Sequence, residues 1–351
     1  MDSGMNFPLP SKLVSPFAIG VEVTPKCNLR CSYCSVGYNY DNNPMKIEDL
    51  RKIFKDCLDS NIKLIDITGG EPFIRNDIIE VLKSIDSSIV FTIKTNGTLI
   101  DDQLAFELSK FSNLRGIGIS IDSSNAKINE LTRGKGVLER ALNGIKSLNK
   151  YGVQFGLMTT VNRYNYKVLP ELLELAKKIG AQTITYNRPI YVGKGSSSES
   201  FLFNGNELRE IAHLLDDLER KNFNKVDIGE WKLLAELDLL RKEIDGNSFN
   251  SRVQVENGCT LGFSNLFIKY NGDVTACPFL EEPICGNVYK ENIMHIWNNS
   301  KALNQLRERS YIPISNVCVT ECKYREICAP GCGVQTSRTG ETTDSFFCLN
   351  N

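Results

Sequence analysis

Between residues 17 and 190 the chain alternates short apolar, β-branched runs with longer amphipathic stretches. The runs 17–23, 63–68, 89–95, 114–121, 153–161 and 182–187 are too short for helices and rich in strand formers, so each predicts a β-strand. Between them apolar side chains return at helical spacing: Ile47, Leu50, Phe54, Cys57 and Leu58 share one face, as do Leu138, Ala141, Leu142, Ile145 and Leu148. Cys57 therefore reads as a core residue. Six such units predict an α/β fold around a parallel sheet. Periodicity leaves two architectures open, a doubly wound open sheet or a curved partial barrel, and both place chemistry at the carboxyl ends of the strands.

Downstream the pattern changes twice. The Gly/Ser-rich segment from Gly193 to Asn206 reads as a loop closing the first unit. Two helical stretches are expected after it, one with Leu208, Ile211, Leu215 and Leu218, the other with Trp231, Leu234, Leu237 and Leu240, forming a bridge over 191–258. From Cys259 on, eight cysteines fall within about 90 residues among Gly, Pro and Asn, with few long periodic runs. A region so poor in conventional core is expected to be held by metal sites.

Composition narrows the chemistry. With 351 residues the chain is long enough for about two domains and a large core. Lys plus Arg number 41 and Asp plus Glu 42, so no charge footprint for nucleic acid or anionic lipid is present. No apolar run approaches the roughly 18 residues of a membrane span, and residues 1–16 carry no signal segment. A cytoplasmic protein is expected, without nucleic-acid or membrane partners. There thiols stay reduced, so the 12 cysteines, against only 2 histidines, read as metal or cofactor ligands rather than disulfides.

Directly after the first strand stands Cys27-Asn-Leu-Arg-Cys31-Ser-Tyr-Cys34. Three thiolates can converge in such a loop. An iron-sulfur cube normally takes four Cys, so three would leave one iron open to another group; the competing reading is an incomplete zinc knuckle, with no His nearby to finish it. The spacing, the aromatic Tyr33 and the preceding strand resemble the radical S-adenosylmethionine (SAM) superfamily. The similarity extends to Gly69-Gly70-Glu71-Pro72 after the second strand, like that family's GGEP segment, where backbone carbonyls and the Glu hold the methionyl amine. Oxygen acceptors suit an ammonium, and Gly permits close backbone approach.

The resemblance implies a partial (β/α)6 barrel over 1–190 in which Cys27, Cys31 and Cys34 hold a 4Fe-4S cluster. It also suggests SAM contacts at Tyr33 within the cysteine loop and where later strands end, at Asn96, Ser120 with Asp122, Arg133 and Asn162, with Ser120 and Asn162 toward the ribose or methionyl portion and Arg133 toward the carboxylate. Strand-end caps and surface charges are the plainer alternatives. Asp122-Ser123-Ser124 departs from the family's commoner Asp-Gly. The implied chemistry is reductive cleavage of SAM to methionine and a 5'-deoxyadenosyl radical, which removes a substrate hydrogen. The reductant would be a flavodoxin or ferredoxin.

The C-terminal spacing, Cys259-x12-Gly272-x4-Cys277, then Cys318-x3-Cys322-x5-Cys328-x3-Cys332, then Cys348, resembles the SPASM domain with two auxiliary clusters. Where the family has two residues after the third cysteine, this chain has three, Val319, Thr320 and Glu321. Carried over by motif, Cys259, Cys277 and Cys332 would bind one auxiliary cluster, and Cys318, Cys322, Cys328 and Cys348 the other. Cys285, outside the pattern, would fill the remaining ligand position of the first, making three 4Fe-4S clusters in all. Zinc is the competing metal for this region.

Auxiliary clusters give a product radical somewhere to send an electron, which points to net oxidation or crosslinking. One expectation is a peptide-modifying oxidoreductase acting on a ribosomally made precursor; the 26 residues before Cys27 leave no room for a leader-binding domain, so a separate recognition protein or direct recognition is implied. The alternative is a small-molecule dehydrogenase or epimerase. Sulfatase maturation is disfavoured because Pro278 follows Cys277 where such relatives carry Asp. A non-catalytic iron-sulfur electron carrier is the reading of another class. Tyr186, Asn187 and Arg188 are expected to line the cavity at the sixth strand's end.

Overall fold

A computed structural model describes residues 12–35, 43–187, 190, 192–193, 203, 205–222, 226–231 and 262–309. All six predicted strands form, within a residue or two of the expected bounds: β1 Ala18–Glu22, β2 Leu64–Thr68, β3 Val90–Thr95, β4 Leu114–Ser120, β5 Phe155–Thr160 and β6 Thr183–Asn187. Between them run α1 (Ile47–Asp59), α2 (Ile78–Lys83), α3 (Asp102–Leu108), α4 (Ala126–Arg133), α5 (Val137–Lys150) and α6 (Leu169–Ile179). Helix ends are capped as the side chains dictate: Asp101 accepts the Leu104 N–H at 2.8 Å and Asn125 the Lys127 N–H at 2.9 Å.

The pairing settles the architecture. Strands β1 to β6 lie side by side in sequence order and every pair is parallel. A doubly wound sheet would reverse its order at a switch point. With no reversal, right-handed crossovers stack every helix on one face, the open partial barrel. That face is apolar: Ile19, Val21, Ile65, Ile67, Phe91, Ile93, Ile117, Ile119, Leu157 and Ile184 are buried against α1 residues Leu50 and Phe54 and their counterparts. Cys57 lies in this core, fully buried.

The inner face carries different residues. Gly20, Asp66, Thr92 and Gly116 share one row, and Lys94, Gly118, Gly156 and Thr183 the next. Three of these glycines make room for neighbours: a Cβ on Gly20 would lie 2.5 Å from the Phe267 ring, on Gly118 2.5 Å from Met158 Sδ, and on Gly156 2.0 Å from Thr183 Oγ1.

Two expectations are corrected. The bridge holds one predicted helix, α7 (Gly205–Lys221), but Trp231, expected on a second, ends a seventh strand, β7 (Asp227–Trp231), parallel to β6. Its sequence, DIGEW, has two acids and a glycine, so pairing with β6 rather than strand propensity makes it a strand. Residues 232–240 of that expected helix lie outside the described residues.

The start of the cysteine-rich region, expected to lack core, instead extends the sheet. Strand β8 (Asn265–Ile268) pairs parallel with β1, followed by the antiparallel β9 (Asp273–Thr275) and β10 (Gly286–Asn287). Helices α8 (Ile293–Asn299) and α9 (Lys301–Arg309) add Ile296, Trp297 and Leu303, each fully buried, to the same apolar cluster. Trp297 Nε1 donates to Leu13 O at 3.0 Å, and the Arg307 guanidinium stacks 4.4 Å from its ring centroid.

Candidate functional site

The loops at the carboxyl ends of β1, β2, β3 and β4 meet in one place. After β1 the chain runs through Thr24 and Lys26 into the cysteine loop, and the Gly69–Glu71 segment pairs with it: Gly70 N donates to Thr24 O at 2.7 Å and Glu71 N to Lys26 O at 2.8 Å. This approach requires glycine. A Cβ at Gly70 would lie 2.3 Å from Lys26 O, and one at Gly69 2.5 Å from Thr24 O.

Glu71 is buried, and its carboxylate ties β2 to β3. Oε1 accepts from Phe73 N at 3.1 Å and Thr95 Oγ1 at 2.7 Å, while Oε2 accepts from Asn96 N at 2.8 Å. Burial pushes its pKa up, opposed by these three donors. Asn96 in turn reaches the cysteine loop, its Nδ2 donating to Asn28 Oδ1 at 2.9 Å and standing 3.9 Å from Cys27 Sγ.

Cys27, Cys31 and Cys34 are half-buried and form no disulfide. Leu29 N points at Cys27 Sγ, 3.4 Å away. Burial pushes the Cys27 thiol up and Cys31 up to about 11; Cys34 lies close enough to raise both, and Arg133 pulls Cys31 back down. A metal centre relieves such a state, because coordination deprotonates thiols outright. Among the described residues no three His, Cys, Asp or Glu side chains gather around a single point as one ion requires. Three thiols with no fourth Cys and no His in the loop are a donor set suited to three corners of an iron-sulfur cluster and incomplete for tetrahedral zinc.

The other side of the loop is fastened to β4. Asp122, one residue beyond Ile121 and 1% exposed, receives Tyr33 Oη and Thr132 Oγ1 on Oδ2, each at 2.7 Å, and Arg133 Nη2 and Thr160 N on Oδ1, each at 3.0 Å. Arg133 Nε stands 2.9 Å from Oδ2, an ionic contact without hydrogen-bond alignment. The guanidinium lies 5.4 Å from the Tyr33 ring centroid, and Ser32 N donates to Thr132 O at 2.9 Å. Burial alone would lower the Arg133 pKa, but Asp122, Tyr33 and Cys31 outweigh it and hold it above its ordinary value.

The structure thus brings together Cys27, Cys31, Tyr33, Cys34, Gly69, Gly70, Glu71, Asn96 and Arg133. Ser120 ends β4 on the inner face, opposite Met158. Asn162 is fully buried and builds a turn: Nδ2 donates to Thr160 O at 3.0 Å and Oδ1 accepts from Tyr164 N at 2.9 Å. Tyr186 is fully buried on the helix side, whereas Asn187 lies on the inner face; Arg188 is outside the described residues. Cys277 and Cys285 are buried close together, Cys285 N donating to Val274 O at 2.7 Å and its thiol accepting the Ala276 N–H. Cys259, Cys318, Cys322, Cys328, Cys332 and Cys348 lie outside the described residues.

Sequence reasoning missed the charged inner-face residues. Asp66 accepts a short bond from Thr92 and stands 3.5 Å from Lys94 Nζ, and Glu22, buried between β2 and β8, accepts from Tyr270 N at 3.3 Å. The strict alternation of β2 and β3, with Asp66, Thr92 and Lys94 all at polar positions, is the signal that marks them.

Comparison with known proteins identifies two domain families in the chain. The Radical SAM superfamily model matches residues 21–176, and the iron-sulfur cluster-binding SPASM domain model residues 259–329. The chain belongs to the radical SAM superfamily and carries a C-terminal SPASM domain. It is 25% identical over 329 residues to the AdoMet-dependent heme synthase of Methanosarcina barkeri, covering 91% of each chain. It is 27% identical to the mycofactocin maturase MftC of Mycolicibacterium smegmatis, covering 95% of this chain and 82% of that one. Among solved structures, Streptococcus suis SuiB bound to its precursor peptide SuiA superposes with a TM-score of 0.78 at 19% identity, over 95% of this chain and 76% of SuiB. The enzyme anSMEcpe with bound AdoMet gives 0.70 at 22% identity, over 95% and 93%. Both structures share the fold. Among the described residues no helix is long and apolar enough to cross a membrane.

Proposed function

We propose that this radical SAM enzyme cleaves S-adenosylmethionine reductively and uses the radical to oxidise or crosslink a ribosomally made peptide. The observation that carries the first part is the fastening of the cysteine loop to the Gly69–Glu71 segment, at the carboxyl ends of the parallel strands β1 to β6. Cys27, Cys31 and Cys34 would hold a 4Fe-4S cluster, which supplies the electron that splits SAM into methionine and a 5'-deoxyadenosyl radical.

The rest falls to the chain's own groups. Carbonyls of the Gly69–Gly70 segment accept the methionyl amine, with Glu71, whose oxygens already take three donors, bracing them. Arg133 pairs with the SAM carboxylate, Tyr33 and Asn96 wall the pocket, and Ser120 faces it from β4. Asn162 acts through the turn it builds. The inner face, with Lys94, Asp66 and Asn187 over a glycine floor, receives the substrate. Residues 1–190 form the barrel, 191–258 the bridge and 259–351 the auxiliary-cluster domain, which holds two further clusters on Cys259, Cys277, Cys285 and Cys332 and on Cys318, Cys322, Cys328 and Cys348. The nearness of Cys285 to Cys277 supports its place in the first set; iron counting and spectroscopy of Cys285→Ala test it, an unchanged ligand field counting against it.

Peptide chemistry is favoured by relatives named for it, the mycofactocin maturase and the subtilosin biosynthesis protein AlbA of Bacillus subtilis, which is 25% identical over 340 residues. The heme synthase relatives favour a second reading, a small-molecule substrate such as a porphyrin. Deuterium transfer into 5'-deoxyadenosine separates the two. Transfer from a labelled peptide supports the first, and transfer from a labelled coproporphyrin the second. Absence of 5'-deoxyadenosine from the fully reconstituted, reduced protein would overturn both and favour an electron carrier. A flavodoxin or ferredoxin as reductant and a separate peptide-recognition protein belong to this proposal, as does a cytoplasmic location.

A further inference from the structure

Three chain segments converge on the Asp122 carboxylate: the cysteine loop through Tyr33, the end of α4 through Thr132 and Arg133, and the end of β5 through the Thr160 amide. Its own backbone is held as well, Asp122 N donating to Asn129 Oδ1 at 2.9 Å and Asp122 O accepting from Asn165 Nδ2 at 2.9 Å. Every polar atom of this residue is thus engaged inside the protein, and the residue is 1% exposed. It has no edge left to offer a ligand.

Its effect on Arg133 is directional. Asp122 faces the Nε and Nη2 side of the guanidinium, and the Tyr33 ring covers one face of the same plane at 5.4 Å. A guanidinium has five donors in a rigid fork. With the Nε side occupied and the plane set, the edge left to meet a second carboxylate is the end formed by Nη1 and the second Nη2 hydrogen.

We propose that Asp122 is a positioning residue for S-adenosylmethionine. It fixes the Arg133 guanidinium, directly and through the Tyr33 ring that it holds against the guanidinium face, so that the end-on edge meets the methionyl carboxylate. The inference rests on the assignment of Arg133 to the SAM carboxylate. It is the arrangement in which a buried carboxylate orients the group that touches the ligand, as metal-bound imidazoles are oriented.

Two effects of Asp122 have opposite signs, which makes the proposal testable. By charge alone, Asp122 competes for Arg133, and removing that charge would tighten SAM binding. By orientation, removing it releases the guanidinium and weakens binding. In Asp122→Asn the Tyr33 and Thr132 hydroxyls can turn to accept, but either placement of the amide NH2 faces one of the two Arg133 nitrogens, so the paired hold on the guanidinium is lost.

The experiment measures SAM dissociation constants anaerobically for reconstituted full-length protein, with iron content and the electron paramagnetic resonance spectrum of the reduced SAM cluster with and without SAM. Asp122→Asn should keep the iron content of the unaltered protein, weaken SAM binding about tenfold, and blunt the SAM-induced change in the spectrum. Arg133→Gln should weaken binding at least as much. Combined with Arg133→Gln, Asp122→Asn should add less than about twofold, because a residue that acts through another is silent once that other is gone.

Unchanged or tighter SAM binding in Asp122→Asn overturns the proposal, as do fully additive losses in the double variant. If Arg133→Gln leaves SAM binding unchanged, the assignment of Arg133 falls first and the inference with it. Should Asp122→Asn not fold, Thr132→Val, which removes one donor to Oδ2 at nearly constant shape, takes its place. It should weaken SAM binding about threefold, and no further on the Arg133→Gln background; no weakening overturns the proposal.

Discussion

Thr95 Oγ1 donates to Glu71 Oε1 across 2.7 Å, joining the ends of β2 and β3 beneath the cysteine loop. Because Asn96 N holds the other oxygen of the same carboxylate, and Asn96 Nδ2 reaches Asn28, a single buried acid connects two strand ends to the loop that follows a third. Glu71→Ala should leave three buried donors without an acceptor and cost about 3 kcal/mol of stability. Urea unfolding of the anaerobic protein measures this, and a loss below about 1 kcal/mol would show that water replaces the carboxylate.

Gly70→Ala tests the close approach of the two loops. The new methyl would overlap Lys26 O, a backbone atom, so the cysteine loop must move. Iron bound after reconstitution and 5'-deoxyadenosine formation should both fall, the latter by tenfold or more. Gly116→Ala is the control. Its Cβ meets nothing nearer than 3.5 Å, and the variant should retain both.

Replacing Cys27, Cys31 and Cys34 together by Ala should lower the iron content by about four per chain, one cluster's worth, and abolish 5'-deoxyadenosine formation. The iron that remains should stay with the auxiliary clusters. Loss of all iron in this variant would mean that the C-terminal cysteines hold none.

Glu22 makes stability depend on pH. Burial pushes its carboxyl from 4.5 up to about 7, against the pull of the Tyr270 N–H and Lys269. An acid with a raised folded pKa contributes its full stability below the unfolded value, near 4.5, and loses it as pH rises toward 7. The loss is roughly 3 kcal/mol in all. Glu22→Gln should therefore unfold at a higher urea concentration than the unaltered protein at pH 8, and the difference should shrink by pH 5.

Trp297→Ala tests whether the C-terminal helices belong to the barrel's core. The indole is fully buried, donates to Leu13 O and lies under Arg307. Its removal should cost about 3–5 kcal/mol. If β1 and β8 unfold together, as their pairing implies, the transition should stay single by fluorescence and circular dichroism.

Much of this was legible beforehand for local reasons. Alternation within five or six residues marks a strand that is apolar on one side, so β1 to β6 emerged close to their bounds. The cysteine spacing and the Gly-Gly-Glu-Pro segment lie within single loops, where neighbours in sequence are neighbours in space. Strand β7 and strands β8 to β10 were not legible, because DIGEW and the short runs after Phe263 become strands only when an existing edge supplies hydrogen-bond partners.

The chain by itself determined which segments are strands and helices, which face of each is apolar, and where three thiols sit close together, since all of these depend on residues a few positions apart. Tertiary structure alone decided that the strands follow one another without reversal, and that Asp66 and Lys94 share an open inner face. It also decided that Asp122 holds Tyr33, Thr132 and Arg133 from positions up to 89 residues away. A buried carboxylate acquires its partners only when separate loops arrive at one point, and no local pattern carries that meeting.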